Sequence, residues 1–153
     1  MLKKLYTSLI IVFFFSIGFA QVEKEVNPAY NIKTVSFTQN GQNIVPIFQL
    51  GDTFELQFDD LFGNEANYYY QIVHCDYDWK PSQLSINEYL QGFDNQRIQD
   101  YTNSYNTLQV YSHYTIQFPN RNTRFLVSGN YMIKIVNEDR EVVFSRKFIV
   151  YET

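Results

Sequence analysis

Cysteine is almost absent from this chain, which has Cys75 as its only one in 153 residues. A single thiol cannot form an internal disulfide, so the fold must be held together by burial alone. Aromatic residues can supply the core, because they make up 18% of the chain and each buried ring removes about 150–250 Å² of surface from water.

Basic residues are also few. The chain has 12 Lys and Arg against 16 Asp and Glu, which gives a formal net charge of −4. Nucleic acid and anionic lipid both attract clustered Lys and Arg. An acidic chain without such clusters has no electrostatic footprint for either, and we expect no nucleic-acid partner.

The common enzyme signatures are missing. The sequence contains no glycine-rich phosphate loop, no serine nucleophile elbow and no zinc-binding helix with paired histidines, each of which places reactive groups at a fixed spacing. We therefore predict that the protein is not an enzyme and uses no cofactor.

The N-terminus carries an export pattern. Lys3 and Lys4 precede an apolar run from Leu9 to Phe15, and the small residues Gly18 and Ala20 follow. This is the order of regions in a cleavable secretory signal. The run is shorter than the about 20 apolar residues that a membrane-spanning helix needs, so an uncleaved anchor is the less favoured alternative.

We predict a signal peptide over residues 1–20, cleaved after Ala20, with no cysteine nearby to indicate a lipoprotein. A flexible leader over 21–29 and one domain over 30–153 are expected to follow. Removal of the peptide takes two lysines with it and changes the net charge from −4 to −6.

Apolar and polar residues alternate over most of the chain after Asn31, which predicts β-strands. Asn40-Gly41 is a strong hairpin signal, because both turn residues must adopt positive φ. It predicts a hairpin between residues 31–37 and 44–50. The other predicted strands are 53–59, 68–77, 110–118, 130–136 and 141–151, the last two joined by a turn at 137–140.

About seven short antiparallel strands predict an all-β fold, an immunoglobulin-like β-sandwich. Gly129 followed by Tyr131 near the start of a strand fits the corner of such a sandwich. A closed barrel is the structural alternative.

The segment from Lys80 to about Thr107 is polar and does not alternate. Ser85 and Glu88 have capping-box spacing and Gly92 can end a helical turn, which predicts a short helix over 85–92. We interpret the segment as a long crossover between the two sheets. A binding loop is the alternative.

The stretch from His74 to Trp79 has the residue types of a reactive or metal site. In an extended strand His74, Asp76 and Asp78 would share one face, and Cys75, Tyr77 and Trp79 the other. Adjacent Cys and His therefore cannot bind one metal, and His74 with Asp76 would need ligands from elsewhere. Cys75 is interpreted as a small buried hydrophobe, and Trp79 as a core plug at the end of the strand.

The segment from Asp59 to Asn67 is rich in oxygen-bearing side chains around Gly63. It lacks the alternate-position ligands and terminal glutamate of a calcium loop. We therefore interpret it as a solvated turn. No catalytic, cofactor-binding or metal-binding residue is predicted.

Several short sequence motifs closely resemble those of the first domain of the type IX secretion system plug protein family. The resemblance runs from about Tyr30 to Tyr151. Its most specific parts are His74-Cys75-Asp76, Trp79-Lys80-Pro81-Ser82, Asn106-Thr107-Leu108 and Phe118-Pro119-Asn120.

The resemblance implies an exported Bacteroidota protein, periplasmic and associated with the outer membrane. It implies that the protein closes the periplasmic mouth of the outer-membrane β-barrel translocon when no cargo is in transit. The translocon barrel is then the partner, but the resemblance assigns no contact residue, so the partner-binding residues stay unknown. Family members continue well beyond this domain, so the chain is either a fragment with further domains after Thr153 or a shortened relative.

A carbohydrate-binding module of a secreted or periplasmic protein is the alternative function. Exported sandwiches rich in tyrosine can stack rings on sugars, and Tyr89, Tyr101 and Tyr105 lie in the long crossover. The same tyrosines are interpreted more simply as anchors that tie the crossover to the sandwich.

Overall fold

The computed structural model describes residues 21–153, so the predicted signal peptide lies outside the described residues. Twelve strands and one four-residue helix, α1 (Ile86–Tyr89), form the described part. The strands are β1 (Ile32–Gln39), β2 (Gln42–Asn43), β3 (Ile47–Gln49), β4 (Phe54–Asp60), β5 (Tyr69–Cys75), β6 (Leu90–Gly92), β7 (Gln96–Arg97), β8 (Asp100–Asn103), β9 (Ser112–Phe118), β10 (Thr123–Phe125), β11 (Gly129–Val136) and β12 (Val142–Tyr151).

Two five-stranded sheets pack face to face. The first has the order β2-β1-β4-β9-β8, the second β3-β12-β11-β5-β7, and β6 and β10 form a separate pair. The neighbours β1-β4-β9-β8 and β12-β11-β5 reproduce the two sheets of an immunoglobulin domain. The predicted immunoglobulin-like β-sandwich is confirmed. One pairing is parallel, that of β3 with β12.

The core forms where the alternating apolar faces of the two sheets meet. Phe58 of the first sheet and Phe144 of the second pack edge to face, with ring centroids 5.1 Å apart. The predicted inward face of β9 is buried from Tyr114 to Phe118. Val110, the first residue of the predicted strand 110–118, lies before β9 begins and is exposed.

The first hairpin is shorter than predicted. Asn40 and Gly41 do form the turn, with φ of 52° and 75°, but β2 pairs with β1 over only two residues. Pro46 has no N–H to continue a ladder. The chain instead crosses to the second sheet, where β3 lies alongside β12 and the N–H of Ile149 donates to the Pro46 carbonyl at 2.9 Å.

The crossover between β5 and β9 contains more structure than predicted. It carries α1, β6, β7 and β8, of which β7 pairs with β5 at the edge of the second sheet and β8 with β9 at the edge of the first. The segment therefore connects one sheet to the other, as the first interpretation had it.

The predicted helix is present but ends earlier than expected. The Ser85 N–H donates to the Glu88 carboxylate at 2.7 Å, as in a capping box. The helix ends at Tyr89, and Leu90 is already extended. Gly92, predicted to end the helix, lies in β6 with φ +131°, where an added Cβ would come within 1.7 Å of the Asn122 carbonyl oxygen.

Tyr131 occupies the sandwich corner that the sequence indicates. Its ring is fully buried, and its hydroxyl donates to the Val127 carbonyl at 2.7 Å. This bond back to the chain just upstream is the tyrosine corner of immunoglobulin-like domains.

The segment 21–29, which the sequence predicts to be a flexible leader, lies against the second sheet. The Val26 N–H donates to Ser145 Oγ at 2.8 Å, and the Glu23 carboxylate is 2.8 Å from Lys134 Nζ. Met132 and Cys75 are buried although both lie on the outer face of that sheet. Among the described residues, no helix is long and apolar enough to cross a membrane.

Candidate functional site

The predicted face of His74, Asp76 and Asp78 does not form, because β5 ends at Cys75. The Asp76 side chain accepts hydrogen bonds from the backbone N–H groups of Asp78 at 2.9 Å and Lys80 at 3.0 Å. This local capture of the backbone by an aspartate makes a turn, as such residues commonly do. The predicted strand 68–77 therefore extends two residues too far, since β5 ends at Cys75.

His74 is held on all sides by the protein. Its Nε2 lies 3.2 Å from the Ser128 carbonyl and its Nδ1 lies 2.8 Å from Ser82 Oγ. A carbonyl can only accept, so Nε2 donates to Ser128, while Nδ1 is hydrogen-bonded to the Ser82 hydroxyl. Tyr131 packs edge-on against the imidazole at 4.9 Å. With both nitrogens engaged, the ring has no free position for a substrate or a metal.

Cys75 is buried, as its interpretation as a small hydrophobe predicts. Burial raises the pKa of its thiol to about 11, and the charge of Glu23 adds to the rise. Since the thiolate is the reactive form, the side chain is unsuited to act as a nucleophile at neutral pH.

Trp79 is not the core plug that the sequence predicts. It lies in the turn after β5 with φ +60°, and it is only partly buried. The Lys147 ammonium lies 4.2 Å from the centre of its ring, a cation–π contact. Its carbonyl accepts from the Glu23 N–H at 2.6 Å, so the residue helps to hold segment 21–29 on the second sheet.

The predicted turn from Asp59 to Asn67 begins only after Asp60, because Asp59 and Asp60 end β4, and its first part is not solvated. Asp60 is fully buried, and its carboxylate accepts from Asn31 Nδ2 at 2.7 Å, the Tyr68 hydroxyl at 2.9 Å and the Phe62 N–H at 3.0 Å. Burial and the bond to Asp60 raise the pKa of Tyr68. The burial of Asp60 could not be recognised from the sequence, because Asp60 lies in a segment rich in polar side chains that has the composition of an exposed turn.

The other acidic groups of this segment also have protein partners. Asp59 lies 2.6 Å from His113 Nδ1, and the Glu65 carboxylate accepts from the Tyr101 hydroxyl at 3.0 Å. Within residues 21–153, no group of three or more His, Cys, Asp or Glu side chains is placed to hold a metal ion.

The three tyrosines of the crossover do not form one surface for a sugar. Tyr89 is buried and donates to the Ile72 carbonyl at 3.2 Å. Tyr101 packs on Tyr114, with centroids 5.5 Å apart. Tyr105 stands exposed in the loop between β8 and β9. The interpretation of these tyrosines as anchors is confirmed for Tyr89 and Tyr101 and is wrong for Tyr105, which is exposed.

Exposed apolar residues gather at the end of the sandwich where β1 begins and β4 ends. Tyr30 and Phe62 pack edge to face with centroids 5.5 Å apart. Val110 adjoins the turn of Phe62, since an added Cβ on Gly63 would lie 3.2 Å from Val110 Cβ. Leu108 lies two residues before Val110 in the same loop and is fully exposed. We call Tyr30, Phe62, Leu108 and Val110 the end patch.

The end patch is not evident from the sequence. Its only signal is the presence of large apolar residues, Phe62 and Leu108, within segments that otherwise have the composition of loops. Exposed apolar side chains on the loops at one end of an immunoglobulin-like sandwich are a feature of domains of this fold that bind other proteins.

The family of the chain follows from comparison with known proteins. The model of the type 9 secretion system plug protein first domain matches residues 32–152, and the chain belongs to this family.

A solved relative agrees with the fold. A hypothetical protein from Parabacteroides merdae ATCC 43184, determined by crystallography, is 38% identical with a TM-score of 0.76 over 82% of this chain. The match covers 33% of that protein, so this chain spans about a third of its length. A DNA-bound alkylpurine DNA glycosylase of Pseudomonas fluorescens, 12% identical over 78% of this chain and 30% of its own with a TM-score of 0.41, is too distant to support an inference. No curated protein matches the chain.

Proposed function

We propose that this chain acts as the first domain of an exported, non-catalytic plug that closes the periplasmic side of the type IX outer-membrane translocon. The observation that carries the proposal is the family match over residues 32–152. The export pattern of residues 1–20 supports delivery to the periplasm.

The physical character of the domain suits a plug. A plug must keep its shape, engage and leave its partner, and perform no chemistry on the cargo. The sandwich has an extended aromatic core, and no buried side-chain N or O among residues 21–153 lacks a hydrogen-bond partner. Of the residues that the sequence offered as candidates for a reactive site, His74 is hydrogen-bonded at both ring nitrogens and Cys75 is buried.

The proposal is tested in the bacterium that encodes the protein. The full-length gene product carries a tag introduced on the chromosome. It is purified from detergent-extracted outer membranes, and the proteins that copurify with it are identified by mass spectrometry. We expect the translocon barrel among them. In cells that lack the gene, the unplugged pore is expected to raise the uptake of a large antibiotic such as vancomycin. Recovery of no barrel protein together with unchanged uptake would refute the proposal.

A further inference from the structure

We propose that the end patch is the surface through which this domain binds its protein partner. The partner surface that fits it is apolar at its centre and bordered by Lys and Arg side chains. The inference rests on the proposed function in one respect, since it takes the partner to be the translocon barrel.

The residues of the end patch are exposed to solvent. Leu108 is fully exposed, and Tyr30, Val110 and Phe62 are exposed by 76%, 58% and 52%. Single exposed apolar residues are ordinary, but neighbouring ones at one site mark interaction surfaces. The rings of Tyr30 and Phe62 are in contact. Val110 lies next to Gly63, the residue that follows Phe62 in the turn.

The loops that carry the end patch are held in place by hydrogen bonds. The loop that carries Leu108 is closed at its base, where the Ser104 N–H donates to the Tyr111 carbonyl and the Tyr111 N–H donates to Ser104 Oγ, both at 2.9 Å. Gln109 Nε2 then joins this loop to the turn of Phe62 by donating to the Leu61 carbonyl at 3.1 Å. Loops that are already ordered lose little conformational freedom on binding, so the patch is prepared to bind.

The charge around the patch selects the partner. The loops at this end, residues 61–68, 104–111 and 137–141, contain four acidic residues and one basic residue, Arg140. The acidic ones are Glu65, Glu138, Asp139 and Glu141. Asn67 donates to the Glu138 carboxylate, which brings the third loop against the first.

This acidic border argues against two other occupants. A second copy of the chain would oppose like charges, which costs binding energy. An anionic membrane would be repelled for the same reason. A protein surface with basic residues around an apolar centre meets both features of the patch.

The opposite end of the sandwich offers a matched control. Phe93, which follows β6, is 75% exposed, and within the described residues it packs against no other aromatic ring. Its exposure matches that of the end-patch residues.

The test is site-specific photo-crosslinking in living cells with the protein at its full genomic length. The photoreactive residue p-benzoylphenylalanine replaces Leu108, Phe62 or, as control, Phe93, and the crosslinked proteins are identified by mass spectrometry. We expect the translocon barrel in the Leu108 and Phe62 adducts and not in the Phe93 adduct.

The other outcomes separate this inference from the proposed function. A barrel adduct from Phe93 alone would overturn the end patch as the binding surface while supporting the plug function. Adducts from the end patch to a second copy, to another part of the same chain or to lipid would overturn the inference and name the true occupant. No barrel adduct from any of the three positions would count against the function and the surface together.

Discussion

The buried carboxylate of Asp60 accepts a 2.9 Å hydrogen bond from the hydroxyl of Tyr68, eight residues further along the chain. The same carboxylate accepts from Asn31 just before β1 and from the N–H of Phe62. One side chain therefore joins the start of β1, the end of β4 and the approach to β5. It also fixes the turn that presents Phe62 in the end patch.

Loss of this carboxylate is expected to destabilise the fold. Asp60→Ala leaves the Tyr68 hydroxyl and the Asn31 amide buried without an acceptor, at about 1–3 kcal/mol for each unsatisfied group. We expect the free energy of unfolding, measured by urea denaturation, to fall by about 2–6 kcal/mol. Tyr68→Phe is expected to lower it by about 1–2 kcal/mol.

Tyr105→Phe is the control for these two variants. It removes the same hydroxyl from an exposed ring, and the expected change in stability is within about 0.5 kcal/mol. If Asp60→Ala proves as stable as Tyr105→Phe, the carboxylate does not hold this end of the sandwich together.

Stability is expected to fall at high pH. Burial raises the pKa of Tyr114 to about 12 and also raises that of Tyr131. Tyrosines of an unfolded chain ionise near pH 10. Above that pH the unfolded chain releases protons that the folded chain keeps, so each such tyrosine lowers stability by up to about 1.4 kcal/mol per pH unit. Below pH 10 its contribution is fully present.

Urea denaturation at about pH 9 and about pH 11 measures this loss. Because other groups also titrate in this range, the comparison is made with Tyr114→Phe, which is expected to lose less stability between the two pH values. Equal losses in the two proteins would show that Tyr114 ionises as readily in the fold as outside it.

Gly129 is expected to tolerate no side chain. Its φ is +147°, and an added Cβ would lie 2.3 Å from His74 Nε2. Gly129→Ala is expected to lower the free energy of unfolding by about 1–3 kcal/mol through overpacking, beyond the cost of the backbone conformation. Gly41→Ala is the control, because Gly41 also has positive φ but has no atom within 4 Å of an added Cβ.

A double-mutant cycle shows whether His74 is the cause. In His74→Ala the imidazole is absent, so Gly129→Ala should cost less there than in the native protein. His74→Ala alone should lower stability, since the ring packs on Tyr131 and bonds to Ser82 and the Ser128 carbonyl. An equal cost of Gly129→Ala in both backgrounds would assign the strain to another contact.

Alternation of apolar residues was sufficient to predict the sandwich, because each long strand buries one face in the core. It located β4 and β9, whose inward residues are buried as the pattern indicates. It failed where one residue changes the local geometry. Pro46 redirects the chain from the first sheet to the second, and Asp76 ends β5 by binding the backbone N–H groups that follow it.

The end patch could not be derived from sequence for a different reason. Exposure of Phe62 and Leu108 depends on loops from distant parts of the chain meeting at one end of the sandwich. The bond from Gln109 to the Leu61 carbonyl joins residues 48 positions apart, and no local pattern encodes it. The burial of Asp60 likewise depends on Asn31 and Tyr68 converging on it.

The affinity of the purified protein for the purified translocon barrel tests the central claim most directly. Leu108→Asp adds a charge to a fully exposed residue of the end patch, so the fold should be unaffected while an apolar interface loses its contact. We predict binding at least about tenfold weaker for Leu108→Asp, with Phe93→Asp unchanged, by biolayer interferometry. Equal affinity of Leu108→Asp and the native protein would contradict the claim that this domain binds the translocon through the end patch.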